Sequence, residues 1–165
     1  MRRSRLVAVV PLVALALGGC GDDASDTTPA ASDEVSSTST TAAAAATVRV
    51  ADSSLGQVLV DAKGMTLYLF TKDSGGTSAC EGSCAALWPP LVAGGAPTAG
   101  TGVEGAKLST ITRPDGSIQV AYAGQPLYLY AKDAKPGDVT GQNVGGVWFA
   151  VRPDGTAVSA ESPRY

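Results

Sequence analysis

Two Tyr–Asp pairs hold most of the chemistry available to this chain. Tyr68 is followed by Phe70 and Asp73, and Tyr128 by Tyr130 and Asp133, so Tyr-x-aromatic-x-x-Asp occurs twice. Such pairs admit three uses. A buried Tyr hydroxyl needs a polar partner, and an Asp nearby supplies one. Tyr-rich strands together with Trp88 and Trp148 can instead wall a site for a glycan, a peptide or a quinone-like ring. Finally, Asp73, Asp133 and Asp138 could hold calcium or serve acid–base catalysis, although no EF-hand-like loop surrounds them. The first use is the expected one. It places Tyr68 and Tyr128 half-buried, each bonded to its own Asp or a nearby turn, with Trp88 and Trp148 as core anchors. No catalytic residue, metal ligand or cofactor is assigned.

The residues that are missing narrow the chemistry further. The chain has no His. A Ser–His–Asp triad, a Cys–His pair and a His-ligated zinc or haem are therefore excluded. Of the three Cys, Cys20 ends the segment Leu17-Gly18-Gly19-Cys20, which closes an apolar run from Leu6 behind Arg2, Arg3 and Arg5. A basic start, a short apolar stretch and small residues before a cut make an export signal. A Cys at the cut is the bacterial lipobox, resembling signals in which that Cys is diacylated and becomes the new N-terminus. The run is too short for a bilayer span, which needs roughly 20 apolar residues. Ser4-Arg5-Leu6 fits a twin-arginine signal poorly, so general secretion is expected. The protein is then held by palmitate-type lipid on the outer face of the cell membrane, or on a periplasmic or outer-membrane face.

Export bears on the remaining Cys and on charge. In an oxidising compartment Cys80 and Cys84 are expected to form a disulfide. Its small ring is worth only about 2 kcal/mol in the chain-entropy model. Helical residues four apart sit too far apart for that bond, so Cys80 to Cys84 is expected to be a turn, eased by Gly82. A redox-active pair is the alternative, but Cys-x-x-Cys spacing and a βαβ frame are both lacking. Loss of residues 1–19 removes three of 12 basic residues and none of 15 acidic ones, leaving a net charge of −6. Such a surface disfavours nucleic acid and anionic headgroups.

These residues need elements to position them. Gly21 to about Thr47 is Ala, Ser, Thr and Asp with almost no large apolar side chain, and reads as a flexible tether. Residues 48–165 then form one domain. Val48-Arg49-Val50 alternates. Gln57–Asp61 and Met65–Thr71 flank Lys63-Gly64, and Ser117–Tyr122 and Pro126–Ala131 flank Ala123-Gly124, as hairpins do. Arg113-Pro114-Asp115-Gly116 and Arg152-Pro153-Asp154-Gly155 are turn sequences. The single helical candidate is a turn or so near 84–88, with Ser83 as N-cap and Pro89-Pro90 as stop.

The domain repeats itself at an offset of 60. Six of ten residues match between Gly64–Asp73 and Gly124–Asp133, and Trp88 falls on Trp148. The repeats span about 56–93 and 117–155. Strand alternation puts Tyr68 and Phe70 on one face and Leu67 and Leu69 on the other, and likewise Tyr128 and Tyr130 against Leu127 and Leu129. Both faces are apolar, as in strands covered on both sides. The expected fold is all-β: two pseudo-twofold hairpin repeats in a small sandwich or barrel.

The doubled motif, with Cys80-x-x-x-Cys84 and Trp88-Pro89-Pro90 between its copies, resembles the bacterial secreted-repeat lipoproteins with the Y-x4-D motif. Pro136-Gly137-Asp138, Gly141-Gln142 and Gly146-Val147-Trp148 extend the resemblance over Gly56 to Gly155. It implies architecture and export, and no catalytic residue carries over. Relatives that place His at the position of Gln125 differ here in kind. The functional expectation is a non-catalytic binding or cell-envelope module. Its partners would be the membrane, through the anchor, and an envelope glycan, peptide or protein. The alternatives are a redox or electron-transfer accessory and, last, an Asp-dependent hydrolase.

Overall fold

A computed structural model describes residues 45–159. The export segment, Cys20 and nearly all of the tether lie outside the described residues. The chain forms β1 (Thr47–Ser53), β2 (Gly56–Asp61), β3 (Tyr68–Phe70), α1 (Ser83–Leu87), β4 (Thr98–Ala99), β5 (Leu108–Thr112), β6 (Ile118–Tyr122), β7 (Gln125–Pro126) and β8 (Trp148–Ala150). Three small sheets result, ordered β2-β1-β4, β3-β8 and β5-β6-β7. The fold is all-β, as the alternation predicts, but no sheet closes into a barrel.

Local sequence accounts for the turns. Ala123 and Gly124 both have positive φ, 49° and 79°, which is the two-residue turn that matches strand twist. It joins β6 to β7, with Tyr122 opposite Gln125. In each Arg-Pro-Asp-Gly turn the Gly amide donates to the Arg carbonyl, at 2.9 Å in both. α1 differs from expectation at its start. Gly82, at φ 54°, is the N-cap and makes no side-chain bond, while Ser83 is already helical. A residue in that conformation lets the disulfide ring close first, with Cys80 and Cys84 Cα atoms 5.2 Å apart, and the helix begin inside it.

The two repeats are interleaved. β3 of the first repeat pairs with β8 at the end of the second, Tyr68 opposite Ala150 and Phe70 opposite Trp148. In the other half, the amides of Leu129 and Ala131 donate to the carbonyls of Pro89 and Leu87. The same exchange recurs in two backbone rings. Leu67 N–H donates to Leu59, Leu59 to Val151 and Val151 to Leu67; Leu127 donates to Val120, Val120 to Leu91 and Leu91 to Leu127. Leu91 and Val151 have changed halves. At the pseudo-axis Tyr68 and Tyr128 exchange both backbone bonds, at 2.8 and 2.9 Å.

The 60-residue offset is interrupted and restored. Val50 pairs with Leu59 and Thr110 with Val120, so β6 runs one residue late against β2. The first turn is one residue longer in the second repeat and the next one residue shorter. A one-residue slip reverses which face each side chain meets. Val58 therefore corresponds to Gln119, and a polar side chain enters the second half of the core.

Alternation then sorts the core. Tyr68, Phe70, Tyr128, Tyr130, Trp88 and Trp148 join Cys80 in an aromatic cluster. Leu67, Leu69, Leu127 and Val120 form an aliphatic cluster on the other side, with Leu129 against it.

Candidate functional site

The aromatic cluster contains all four aromatic residues of the doubled motif, Tyr68, Phe70, Tyr128 and Tyr130, and Asp73 and Asp133 are buried as well. Tyr68 and Tyr128 are fully buried, where the sequence suggested half-burial. Neither bonds its own Asp. Tyr68 donates to Asp133 Oδ2 at 2.6 Å, and Tyr128 donates to Asp73 Oδ2 at 2.7 Å. The interleaving explains the crossing. Each Asp sits in a turn closed onto its own strand, Asp73 N–H to Phe70 and Asp133 N–H to Tyr130. Each Tyr faces across the pseudo-axis toward the other repeat's turn.

The carboxylates are filled by their own loops as well. Asp73 Oδ1 accepts from Ala79 N–H at 2.7 Å. Asp133 Oδ1 accepts from the amide and the hydroxyl of Thr140. Asp138 Oδ2 accepts from the amides of Ala134 and Lys135. Among the described residues, no group of three or more His, Cys, Asp or Glu is placed to hold a metal ion.

Burial sets the electrostatics. It pushes the Tyr128 hydroxyl up to about 12, with the Asp73 charge adding to the rise and the Ser78 hydroxyl opposing it. Tyr68 is raised too, by burial first and by Asp133 second. Asp73 is raised by burial, against the Ala79 amide, the Tyr128 hydroxyl and the Arg113 charge, which lower it.

Arg113 is the functional-looking residue that the sequence reading missed. It reads as the first residue of a turn, yet its side chain is buried. Nη1 donates to Ser78 Oγ and Gln119 Oε1, and Nη2 to the Cys80 carbonyl, all at 2.7 Å. Gln119 Nε2 donates to the Leu127 carbonyl at 2.9 Å. Nε has no hydrogen-bond acceptor and lies 3.8 Å from Asp115 Oδ2. Ser78 Oγ is 2.7 Å from the Tyr128 hydroxyl. A phenol has one proton, and Asp73 takes it, so Ser78 donates to Tyr128. A continuous line then runs from the Arg113 cation through Ser78 and Tyr128 to Asp73. The signal for Arg113 was absent because Arg152 opens the same turn sequence in the other position.

The rings themselves are stacked. Phe70 lies on Trp148 with centroids 4.2 Å apart, Trp148 on Trp88 at 3.9 Å, and Trp88 on Tyr130 at 4.1 Å. Tyr68 meets Trp88 edge-on at 5.4 Å, and Tyr128 meets Trp148 edge-on at 5.1 Å. The pseudo-axis passes between the two Trp, which are buried and stacked on each other. An open aromatic platform is not what these residues form, since Trp88 and Trp148 are buried. Gly141 makes the packing feasible: a Cβ there would come within 2.8 Å of Tyr68 Cε1 and 2.9 Å of Trp88 Cη2.

An all-β domain of two interleaved, cross-bonded repeats is thus established. The family described as a secreted repeat of unknown function matches residues 49–92 and 109–152, more than half of the chain, and the chain belongs to it. The matched segments begin inside β1 and β5 and stand 60 residues apart, as the internal repeat does. No curated protein and no solved structure matches the chain.

Proposed function

We propose that this secreted-repeat protein is a lipid-anchored module of the cell envelope that binds a partner and does not catalyse. One observation carries the reading: both Tyr–Asp pairs are buried and bonded to each other, so the motif's reactive groups are spent on the fold. Cys20, behind its basic and apolar flanks, supplies the anchor. Partner recognition is left to the surface. A cleft of about 330 Å³ is lined by Arg49, Asp52, Lys63 and Gly64 from the first repeat and Pro136 and Gly137 from the second. Lys63-Gly64 is the turn between two strand runs and Pro136-Gly137 belongs to the residues that carry the family resemblance, and the aromatic core uses neither. With two cations and one anion, the cleft suits an envelope glycan, peptide or protein carrying acidic groups.

The test is co-sedimentation of the purified mature protein with a cell-wall fraction. Saturable binding lost in Lys63→Glu and kept in Tyr68→Phe, measured below the variant's melting temperature, supports the reading. Equal loss in both variants, or no saturable binding, contradicts it.

The ring stack favours a second reading, an electron-transfer accessory. A Tyr68 oxidised by a one-electron acceptor would pass its proton to Asp133 along the existing 2.6 Å bond. A reversible one-electron wave in voltammetry, lost in Tyr68→Phe, supports this reading, and a featureless trace opposes it.

A further inference from the structure

We propose that β5 is a docking edge for a second copy of this chain. β1 and β5 are counterparts in the two repeats, Val48 matching Leu108 and Val50 matching Thr110. The outer edge of β1 is covered. Thr98 N–H donates to the Ala46 carbonyl, Gly100 N–H to Val48, and Val50 N–H to Thr101, with β4 running parallel to β1. The outer edge of β5 has no such cover among the described residues. Arg113 N–H donates to Ser117 and Ala123 N–H to the Lys107 carbonyl, so residues 107, 109, 111 and 113 face β6. The backbone groups of Leu108, Thr110 and Thr112 therefore point away from the sheet.

Nothing in the strand blunts this edge. Proteins protect edges with charge, Pro or bulges, yet Leu-Ser-Thr-Ile-Thr contains none of the first two, and β5 pairs with β6 in unbroken register. The chain's own following segment is used elsewhere. Val158 is the counterpart of Thr98, but it is buried in the aromatic cluster and donates to Ala150.

A second copy fits by symmetry. The three outward residues are centred on Thr110, so two β5 strands run antiparallel with Thr110 opposite Thr110 and Leu108 opposite Thr112. Each such pair exchanges two bonds, about six in all. Leu108–Thr112 carries no charge, so no like charges meet within the paired strands, and Thr–Thr is a favourable cross-strand pair. Five residues per side bury well under the roughly 1,200 Å² of a standard stable interface, so pairing is weak and reversible. Copies held on one surface would feel it most, because anchoring raises their effective concentration.

Sedimentation equilibrium of the purified mature protein, in density-matched detergent, tests the pairing. The expected result is a mass that rises from one copy toward two as concentration increases. Thr110→Pro should weaken association at least tenfold while keeping the melting temperature, because Pro is tolerated where an edge N–H faces solvent. Thr110→Lys is the second variant should Pro disturb folding, since two Lys would meet at the symmetry point. A single-copy mass at every concentration up to about 1 mM overturns the proposal. So does undiminished association in both variants, which would place the contact on another surface.

Discussion

Replacing Gly141 with Ala tests the packing at the centre of the cross-bonded core. Gly141 does not have a positive φ, so Ala suits its backbone, and fewer unfolded conformations would by themselves stabilise by about 0.4–1 kcal/mol. Sterics oppose this. The new Cβ would sit 2.8 Å from Tyr68 Cε1 and Cζ and 2.9 Å from Trp88 Cη2, against an ordinary carbon contact of about 3.5–4.0 Å. Tyr68 would have to retreat by roughly 1 Å, drawing its hydroxyl off Asp133. Overpacking of this kind costs about 1–3 kcal/mol, and a hydrogen bond to a charged group about 1.5–3 kcal/mol. The net expectation is destabilisation by about 1.5–5.5 kcal/mol, read as a lower urea midpoint at unchanged slope. Gly95→Ala is the control: its Cβ meets nothing within 4 Å and its φ is not positive, so it should be neutral or slightly stabilising. A Gly141→Ala protein as stable as the Gly95→Ala protein would refute the packing argument.

Three further outcomes are expected. Tyr68 and Tyr128 have raised folded pKa values, so the stability they give is complete below the unfolded value of about 10 and is lost as pH rises beyond it, toward about 12 for Tyr128. Tyrosinate absorbance should show them ionising together with unfolding, and independent ionisation of both near pH 10 would contradict their burial. Arg113→Met strips Ser78, Gln119 and the Cys80 carbonyl of a buried donor and should cost about 3 kcal/mol or more in urea unfolding; a loss below about 1 kcal/mol would count against the network. Ala123→Asn, at a positive φ where Asn is favoured, should raise the melting temperature, and a fall would mean that the side chain matters more there than the backbone.

What the sequence revealed followed from local rules. Period-2 alternation separated Tyr68 and Phe70 from Leu67 and Leu69, and the two core clusters keep that division. The Arg-Pro-Asp-Gly turns and the Ala123-Gly124 hairpin follow from backbone preferences within a few residues. The crossing of the Tyr–Asp pairs does not, because nearness in sequence favours Asp73 for Tyr68. Only the exchange of Leu91 and Val151 between halves turns each Tyr to the other repeat. Burial of Gln119 was hidden for a related reason. At a constant offset of 60 it matches Leu59, and the compensating turn lengths that place it against Val58 appear only in the strand register. The expectation that Cys20 and its flanks form an anchor rests on composition and spacing alone, because they lie outside the described residues.

The central claim is that the doubled motif braces one repeat against the other. A double-mutant cycle measures it directly, by urea unfolding of Tyr68→Phe, Asp133→Asn and the pair, alongside Tyr68→Phe with Asp73→Asn. The account predicts a coupling of about 1.5–3 kcal/mol between Tyr68 and Asp133, and less than about 0.5 kcal/mol between Tyr68 and Asp73. Stronger coupling of Tyr68 to Asp73 than to Asp133 would contradict it.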